Sequence, residues 1–465
     1  MPMSTPLDVV VQAVCQALVP VLLTLHTDLS PETFLNRLDR PVALSVLEGA
    51  RQALELVLSQ RLASGTEVDQ PTGPERRTYR IHSALGVVCF EATPSTPLDT
   101  RVLPHGCTRS VREESAFLVA QGTAHEAHEI MKKYRLSVPS ESTLKRVVAE
   151  EGKAMLRLWD TQLPNLAYPL VTEVIDKVDL IQVSADGAHV PMRGANETAQ
   201  REHHEARLVT VTLYGQPNEA KERVVTLHEA DGTPYGECVG FQRPRLATFI
   251  FGEMPSLDGP KGERATTALG WLIQCIHALR PSLPVYGCCD GGAWPEQTVD
   301  EAVGEGNRTT DFFHACEHLR AASQAAFGDG DLGMAWYKRE RTKLLTEDGA
   351  AARLSDTLTR LADRADLSAK ATDRLRTEAG YFRKRAPQME YARLLREGLV
   401  IGSGVVEAAV KRLITLRMKR PGATWTDEGG DAVIALRSLW LSGLWEQAWT
   451  LYAAAEDKQA RRNVA

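Results

Sequence analysis

Apolar residues near the start of the chain recur three and four positions apart: Val10, Val14, Leu18, Val19 and Leu22, then Ala43, Val46, Leu47, Ala50, Leu54 and Val57. Side chains so spaced share one helical face, which predicts two amphipathic helices between about Leu7 and Leu62. Ser30-Pro31-Glu32, lying between them, reads as a helix start, with the hydroxyl as cap and Pro31 at the first helical position. The pattern then changes. Two short runs rich in β-formers, Thr78 to His82 and Gly86 to Phe90, predict a hairpin. A Pro-rich connector, Thr93 to Leu103, and a helix from about Ser110 to Ala120 come next.

Between Thr123 and Gly152 the pattern is that of a helix-turn-helix. Ala124, Ala127, Ile130 and Met131 mark one amphipathic helix ending near Tyr134; Ser137, Pro139 and Ser140 form a short turn; a second helix presents Thr143, Lys145 and Arg146. Such a helix can lie in a major groove with Lys145 and Arg146 on phosphates. An ordinary helical hairpin has the same pattern, so DNA contact and plain packing both remain open.

From Val174 onward, short apolar runs alternate with helices. Asp179 to Ala185 predicts a strand ending at Asp186-Gly187, and Arg207 to Tyr214 and Arg223 to His228 predict the next two. A helix from about Arg264 to Leu279 leads to a strand, Leu283 to Cys288, that runs into Asp290-Gly291-Gly292. A short helix near Pro295, an apolar run at Phe312-Phe313 read as the last strand, and a long helical region from Cys316 to about Glu397 complete the order. Three strands, helix, strand, helix, strand, helices is the order of an RNase H-like fold. The expected class is therefore α/β: a mixed-sheet core with an all-α insertion, preceded by a mainly α-helical N-terminal region. The implied boundaries are 1–62 for the N-terminal helices, 63–160 for a DNA-binding region, 174–322 for the first part of the core, 323–398 for the insertion, and 399–465 for the rest.

Composition supports a folded globular protein without naming its function. The chain has 465 residues, 43% hydrophobic and 25% charged, enough for two or three domains and unlike a disordered protein. No apolar run approaches the roughly 20 residues of a bilayer span, and the N-terminus has no Lys/Arg start or cleavage site of a secretory signal. A cytoplasmic, nucleoid-associated protein is expected. The eight cysteines include no CxxC pair, which favours reduced, mostly buried thiols over a disulfide framework or zinc ribbon. A formal net charge of -6 argues against a nucleic-acid partner on average, but a local basic track beside an acidic centre suffices for one.

The chemistry rests on where the acids fall. Asp186 is expected at the end of the first strand and Asp290 just past the fourth, strands that are neighbours in such a sheet; each is followed by Gly, which leaves room for a ligand. The third acid is Glu407, in Gly402-Ser403-Gly404-Val405-Val406-Glu407, where Ser403 reads as an N-cap and Glu407 lies about one turn in. Three such carboxylates suit two divalent ions, Mg2+ or Mn2+, acting on a phosphodiester. Taken singly, an Asp-Gly pair is usually a turn and a Glu near a helix start a dipole partner. The combination carries the reading.

Basic residues come at once after Glu407. Lys411, Arg412, Arg417, Lys419 and Arg420 occur with no acid between Glu407 and Asp427, and Lys411 lies one turn beyond Glu407. They are candidates for DNA contact, or else a solvated helix face. Trp425 offers either a stacking surface for an unpaired base or a core side chain. His314, Cys316 and His318 would share one face if they alternated on a strand, but no fourth zinc ligand is evident and no zinc is expected.

Together these blocks amount to a resemblance. Ser184-Ala185-Asp186-Gly187-Ala188, Asp290-Gly291-Gly292-Ala293-Trp294, the stretch Asp311 to Leu319 and the stretch Gly402 to Trp425 resemble the blocks of bacterial insertion-sequence transposases of the Kra type, which are similar to Mutator-like DDE enzymes. The resemblance spans about the last two-thirds of the chain. It implies cleavage and strand transfer of an insertion sequence by Asp186, Asp290 and Glu407, with element ends and target DNA as partners. It also implies that His189, Cys316 and His318 sit behind the carboxylates or on DNA, against the alternative of buried structural roles. Synapsis of two ends makes a homodimer or higher oligomer the expectation. The alternatives are an RNase H-like nuclease that cuts without joining, and a transposase-derived DNA-binding protein without chemistry.

Overall fold

The computed structural model describes residues 16, 46–56, 77–84, 86–92, 104–134, 138–193, 202–217, 222–228, 234–241, 243–254, 263–304 and 306–464. The first predicted helix, apart from Gln16, the Ser30-Pro31-Glu32 start and the connector from Thr93 to Leu103 fall outside these residues; 46–56 is helical as the second apolar stripe predicts. The chain divides into two compact units: residues 1–156 with 448–465, and residues 157–447.

In the first unit, β1 (Arg77–Ser83) and β2 (Gly86–Ala92) pair antiparallel as the predicted hairpin. Helices α1 (Arg109–Gln121) and α2 (Ala124–Tyr134) come after it. At the start of α2, Thr123 and Glu126 cap one another: the Glu126 amide donates to the Thr123 hydroxyl at 3.1 Å and the Thr123 amide to the Glu126 carboxylate at 2.7 Å. The next helix, α3 (Glu141–Val174), begins where the helix-turn-helix pattern places it, but runs through Pro164 and Pro169 instead of stopping near Gly152. Its continued burial of Met155, Trp159, Leu163, Leu166 and Val171 outweighs both prolines. An ionic network is buried in this unit. Arg112 reaches Glu151 at 2.5 Å and Glu456 at 2.8 Å, with Arg112 and Glu151 both almost wholly out of solvent.

The second unit is built on a five-stranded sheet. Its strands are β3 (Leu180–Met192), β4 (Glu202–Tyr214), β7 (Arg245–Glu253), β8 (Val285–Cys289) and β9 (Arg308–Thr310), in the order β7-β4-β3-β8-β9. The first three are antiparallel, and β8 and β9 run parallel to β3 and to each other. This is the mixed sheet of an RNase H-like core. In β4, Leu208 to Leu213 is buried at every position, on both faces of the sheet, as a strand covered on two sides requires.

Two predicted strands are corrected here. Arg223 to His228 is a strand, β5 (Glu222–His228), but it pairs with β6 (Pro234–Phe241) in a separate hairpin. The third strand of the main sheet is β7, whose Ala247, Phe249, Ile250 and Phe251 are buried in the core. The last strand is β9, while Phe312-Phe313 opens a helix: Asp311 caps α6 (Phe312–Phe327) by accepting the His314 amide at 2.7 Å, and a satisfied cap decides helix over strand.

Helices α4 (Glu263–Leu279) and α5 (Ala293–Val303) connect the strands. Beyond α6 come α7 (Asp331–Thr346), α8 (Ala350–Ala362), α9 (Ala369–Arg385) and α10 (Tyr391–Arg396). These helices share a core of Leu319, Trp336, Leu354, Leu358, Leu375, Phe382 and Tyr391. The last core helix, α11 (Gly404–Val410), continues through a π-helical turn at Lys411–Thr415 to Leu416–Met418. Val406, Ala409, Val410, Leu413, Ile414 and Met418 pack on Ala188, Val190, Met192, Leu208 and Ile250 of the sheet. Then come α12 (Asp427–Leu441) and α13 (Trp445–Val464). Among the described residues no helix is long and apolar enough to cross a membrane.

Candidate active site

Asp186 lies inside β3, not at its end, because β4 pairs with the strand all the way from Leu180 to Met192. What ends near it is the other neighbour: β8 pairs only as far as Val183↔Gly287. Asp186 therefore sits just past the point where the β8 side of β3 opens. Alternation places it on the same face as Ala188 and Val190, the face that α11 covers. Asp290 comes directly after β8, and its Oδ1 accepts the Gly292 amide at 3.0 Å. Glu407 stands exposed in the first turn of α11. Ser403 occupies the N-cap position, but its hydroxyl accepts from no helix amide and instead donates to Glu407 Oε1 at 2.9 Å.

Asp186 lies within the field of the other two acids. Burial is the main reason that Asp186 titrates at about 6 instead of near 3.8; the Gly187 amide, donating to Oδ1 at 2.6 Å, pulls the other way, and the charges of Asp290, Glu407 and Glu205 push it up further. Glu205 acts on Asp186 from the opposite face of the sheet, a neighbour not evident from sequence. It stands on β4 beside the β3 backbone, and a Cβ at Gly187 would lie 2.6 Å from its carboxylate oxygen. The cross-strand register that brings it there, Gly187↔Arg207 and His189↔Glu205, is not readable from spacing.

Hard oxygen donors that repel one another are the donor chemistry a divalent cation suits. As the side chains stand, however, no three His, Cys, Asp or Glu groups among the described residues converge closely enough to hold an ion. Asp186, Asp290 and Glu407 each accept a hydrogen bond from their own segment on one oxygen, which leaves the other oxygen for a cation.

Asp311 is a further buried acid beside the candidate residues, not singled out by its sequence position. It is 1% exposed. Its amide donates to Cys289 O at 2.7 Å, and its carboxylate accepts the amides of both His314 and Ser403. The signal available in sequence was the capping pattern before Phe312.

The remaining candidates separate. His314 and His318 are one helical turn apart on α6, rings 5.0 Å apart, while Cys316 is buried in the helical core; the three do not share a strand face. His318 Nδ1 pairs with the buried Glu378 at 2.7 Å and its ring stacks on Tyr381. His189 is exposed on β3. Lys411, Arg412 and Lys419 are exposed and Arg420 half-buried, whereas Arg417 is buried over the Trp425 ring at 4.9 Å. Arg417 is thus a packing residue, and Trp425, whose Nε1 donates to Met418 O at 3.0 Å and whose amide donates to Pro191 O, is held against the end of β3. Lys145 and Arg146 are exposed on α3. Of the six described cysteines, Cys107, Cys288, Cys289 and Cys316 are buried, Cys89 and Cys275 are not, and all six are free thiols.

No family model matches the sequence, and no curated protein matches it. Among solved structures the chain is similar to the Drosophila P element transposase strand transfer complex, with 12% identity, 76% of this chain and 84% of that chain covered, and a TM-score of 0.27.

Proposed function

We propose that this protein is a transposase that cuts and joins the DNA ends of an insertion sequence, of the Kra type that its sequence blocks resemble, with Asp186, Asp290 and Glu407 as catalytic carboxylates. One observation carries the reading: on an RNase H-like sheet, Asp186 feels the charges of both other acids although 104 and 117 residues of chain, 290 less 186 and 407 less 290, separate them. Structural turns and helix starts have no reason to fall within reach of one another's charge there.

In this reading the three acids hold two Mg2+ or Mn2+ ions. When bound, the cations would neutralise the carboxylates and supply Lewis-acid activation of the phosphodiester. The chain's own groups do the rest. Ser403 orients Glu407, and Asp311 fixes the start of α11 against the end of β8. Lys411, one turn beyond Glu407, and Arg412 and Lys419 further on attract the phosphate backbone. Lys145 and Arg146 near the start of α3 take an element end, and a homodimer or larger assembly pairs two ends in the cytoplasm, at the nucleoid. Because the carboxylates do not converge as they stand, a second reading is a transposase-derived DNA-binding protein that performs no chemistry.

Labelled element ends incubated with purified protein and Mn2+ separate these readings. Nicked and joined products are expected from the native protein. Asp186→Asn, Asp290→Asn and Glu407→Gln should each bind the ends but reduce both products by roughly a thousandfold or more. Cutting without joining would favour a nuclease, and persistent cutting by a variant would remove that residue.

A further inference from the structure

The loop that carries Asp290 is held from outside the sheet. Arg385, in the last turn of α9, donates from Nη2 to the Gly291 carbonyl at 2.7 Å and from Nε to Glu296 Oε1 at 3.2 Å. Its guanidinium lies over the Tyr381 ring at 4.6 Å, and that ring stacks on His318 at 3.6 Å and 14°. His318 is in turn fixed by Glu378, which is 1% exposed and also pairs with Arg374. A line of contacts therefore runs from the helical region through Tyr381 and Arg385 to the residue next to Asp290.

The loop is shaped to receive this group. Gly291 has φ +94°, and a Cβ there would lie 2.8 Å from Arg385 Nε. A side chain would be strained in that backbone conformation and would also displace the guanidinium. On the other side of the loop, the Gly292 amide donates to Asp290 Oδ1 and the Gly292 carbonyl accepts from Glu296 N, so the turn that aims Asp290 is bounded by Arg385 and by the start of α5. A guanidinium fits because it presents two parallel donors, one for a carbonyl and one for a carboxylate, while its flat face stacks on an aromatic ring.

We infer that Arg385 is a positioning residue for Asp290, through which the helical region sets the aim of that carboxylate toward a divalent cation. The metal half of this inference rests on the proposed function; the clamp on the loop does not. Groups one step removed from a metal ligand typically govern metal affinity by roughly 10–100-fold.

The test uses the full-length protein with Arg385→Gln and Arg385→Lys. In metal-free, DNA-free protein, amide hydrogen exchange of the peptide spanning residues 287–296 should speed up about tenfold at Gly291 and Gly292 in Arg385→Gln, and less in Arg385→Lys, with other segments unchanged. Mn2+ binding, read from loss of the free-ion electron paramagnetic resonance signal, should weaken by about tenfold or more in Arg385→Gln, with partial recovery in Arg385→Lys. Unchanged loop exchange overturns the inference even where the native protein binds Mn2+ and cuts DNA. Faster loop exchange with native Mn2+ affinity overturns it also, because the clamp would then not govern Asp290. Native protein that binds no Mn2+ overturns the catalytic reading and the metal half with it, while the exchange result still decides the clamp. If Arg385→Gln raises exchange throughout the chain, Arg385→Lys carries both comparisons.

Discussion

The Asp311 carboxylate accepts the main-chain amide of Ser403, and the Asp311 amide donates to Cys289 O at 2.7 Å. One buried acid thus ties the residue before Asp290 to a residue one helical turn before Glu407. That tie adds to the packing of α11 on the sheet in setting the separation of the two candidate carboxylates.

Asp311→Ala removes a helix cap and leaves the Ser403 amide, on a residue 4% exposed, without its acceptor. The two losses together should lower stability by about 2–4 kcal/mol. Asp311→Asn keeps one acceptor for His314, but its second group is a donor facing a donor, so an intermediate loss is expected. Urea unfolding measures both, and equal stability of Asp311→Ala and the native protein would show that the tie is idle.

Asp186 gives a pH signature. Its folded pKa of about 6 lies above the ordinary 3.8, so between those values the folded state holds a proton that the unfolded state has released. Stability from this group is therefore fully present below pH 3.8 and is lost as pH rises to about 6. Asp186→Asn should raise the unfolding temperature of metal-free protein at pH 7 by about 2–4 °C and leave it unchanged near pH 4. Addition of Mn2+ should stabilise the native protein at pH 7 and not the variant. A variant less stable than native at pH 7 would contradict the assignment.

The basic residues make opposite predictions according to burial. Lys145→Ala with Arg146→Ala should flatten the slope of log affinity against log salt by about 2 for an element-end duplex, since each phosphate contact contributes about 1. Arg417→Met should leave that slope unchanged and lower stability instead, because Arg417 is buried on Trp425. Fluorescence anisotropy over a salt series and thermal unfolding separate the two. An unaltered slope in the Lys145, Arg146 variant would leave α2 and α3 an ordinary helical pair.

Arg112 is 1% exposed and pairs with Glu151, whose own carboxyl burial pushes up and Arg112 draws back down. Arg112→Met strands that acid and should cost about 3–5 kcal/mol. Adding Glu151→Leu should recover most of the loss, since a buried pair replaced by apolar groups is often close to neutral. Denaturant unfolding of the single and double variants checks this; equal losses in both would show that the pair does not act as a unit.

Sequence alone determined the parts that depend on neighbours along the chain. The β1–β2 hairpin, the start of α3, the strand before Asp290 and the helix start before Glu407 all follow from local periodicity and turn residues. Asp186, Asp290 and Glu407 stood out in combination, two beside Gly near the predicted ends of neighbouring strands and one in the first turn of a later helix. The tertiary structure decided what crosses the chain. It gave the third strand of the main sheet to Arg245–Glu253 instead of Glu222–His228, because strand pairing is a choice among competing partners that neither segment encodes locally. It also turned Phe312-Phe313 into a helix start and buried Arg417, and it brought Glu205, Asp311 and Arg385 to the acids. A hydrogen bond between residues 92 or 94 positions apart leaves no periodic trace, since its energy depends on where the two segments meet and not on what surrounds either one in sequence.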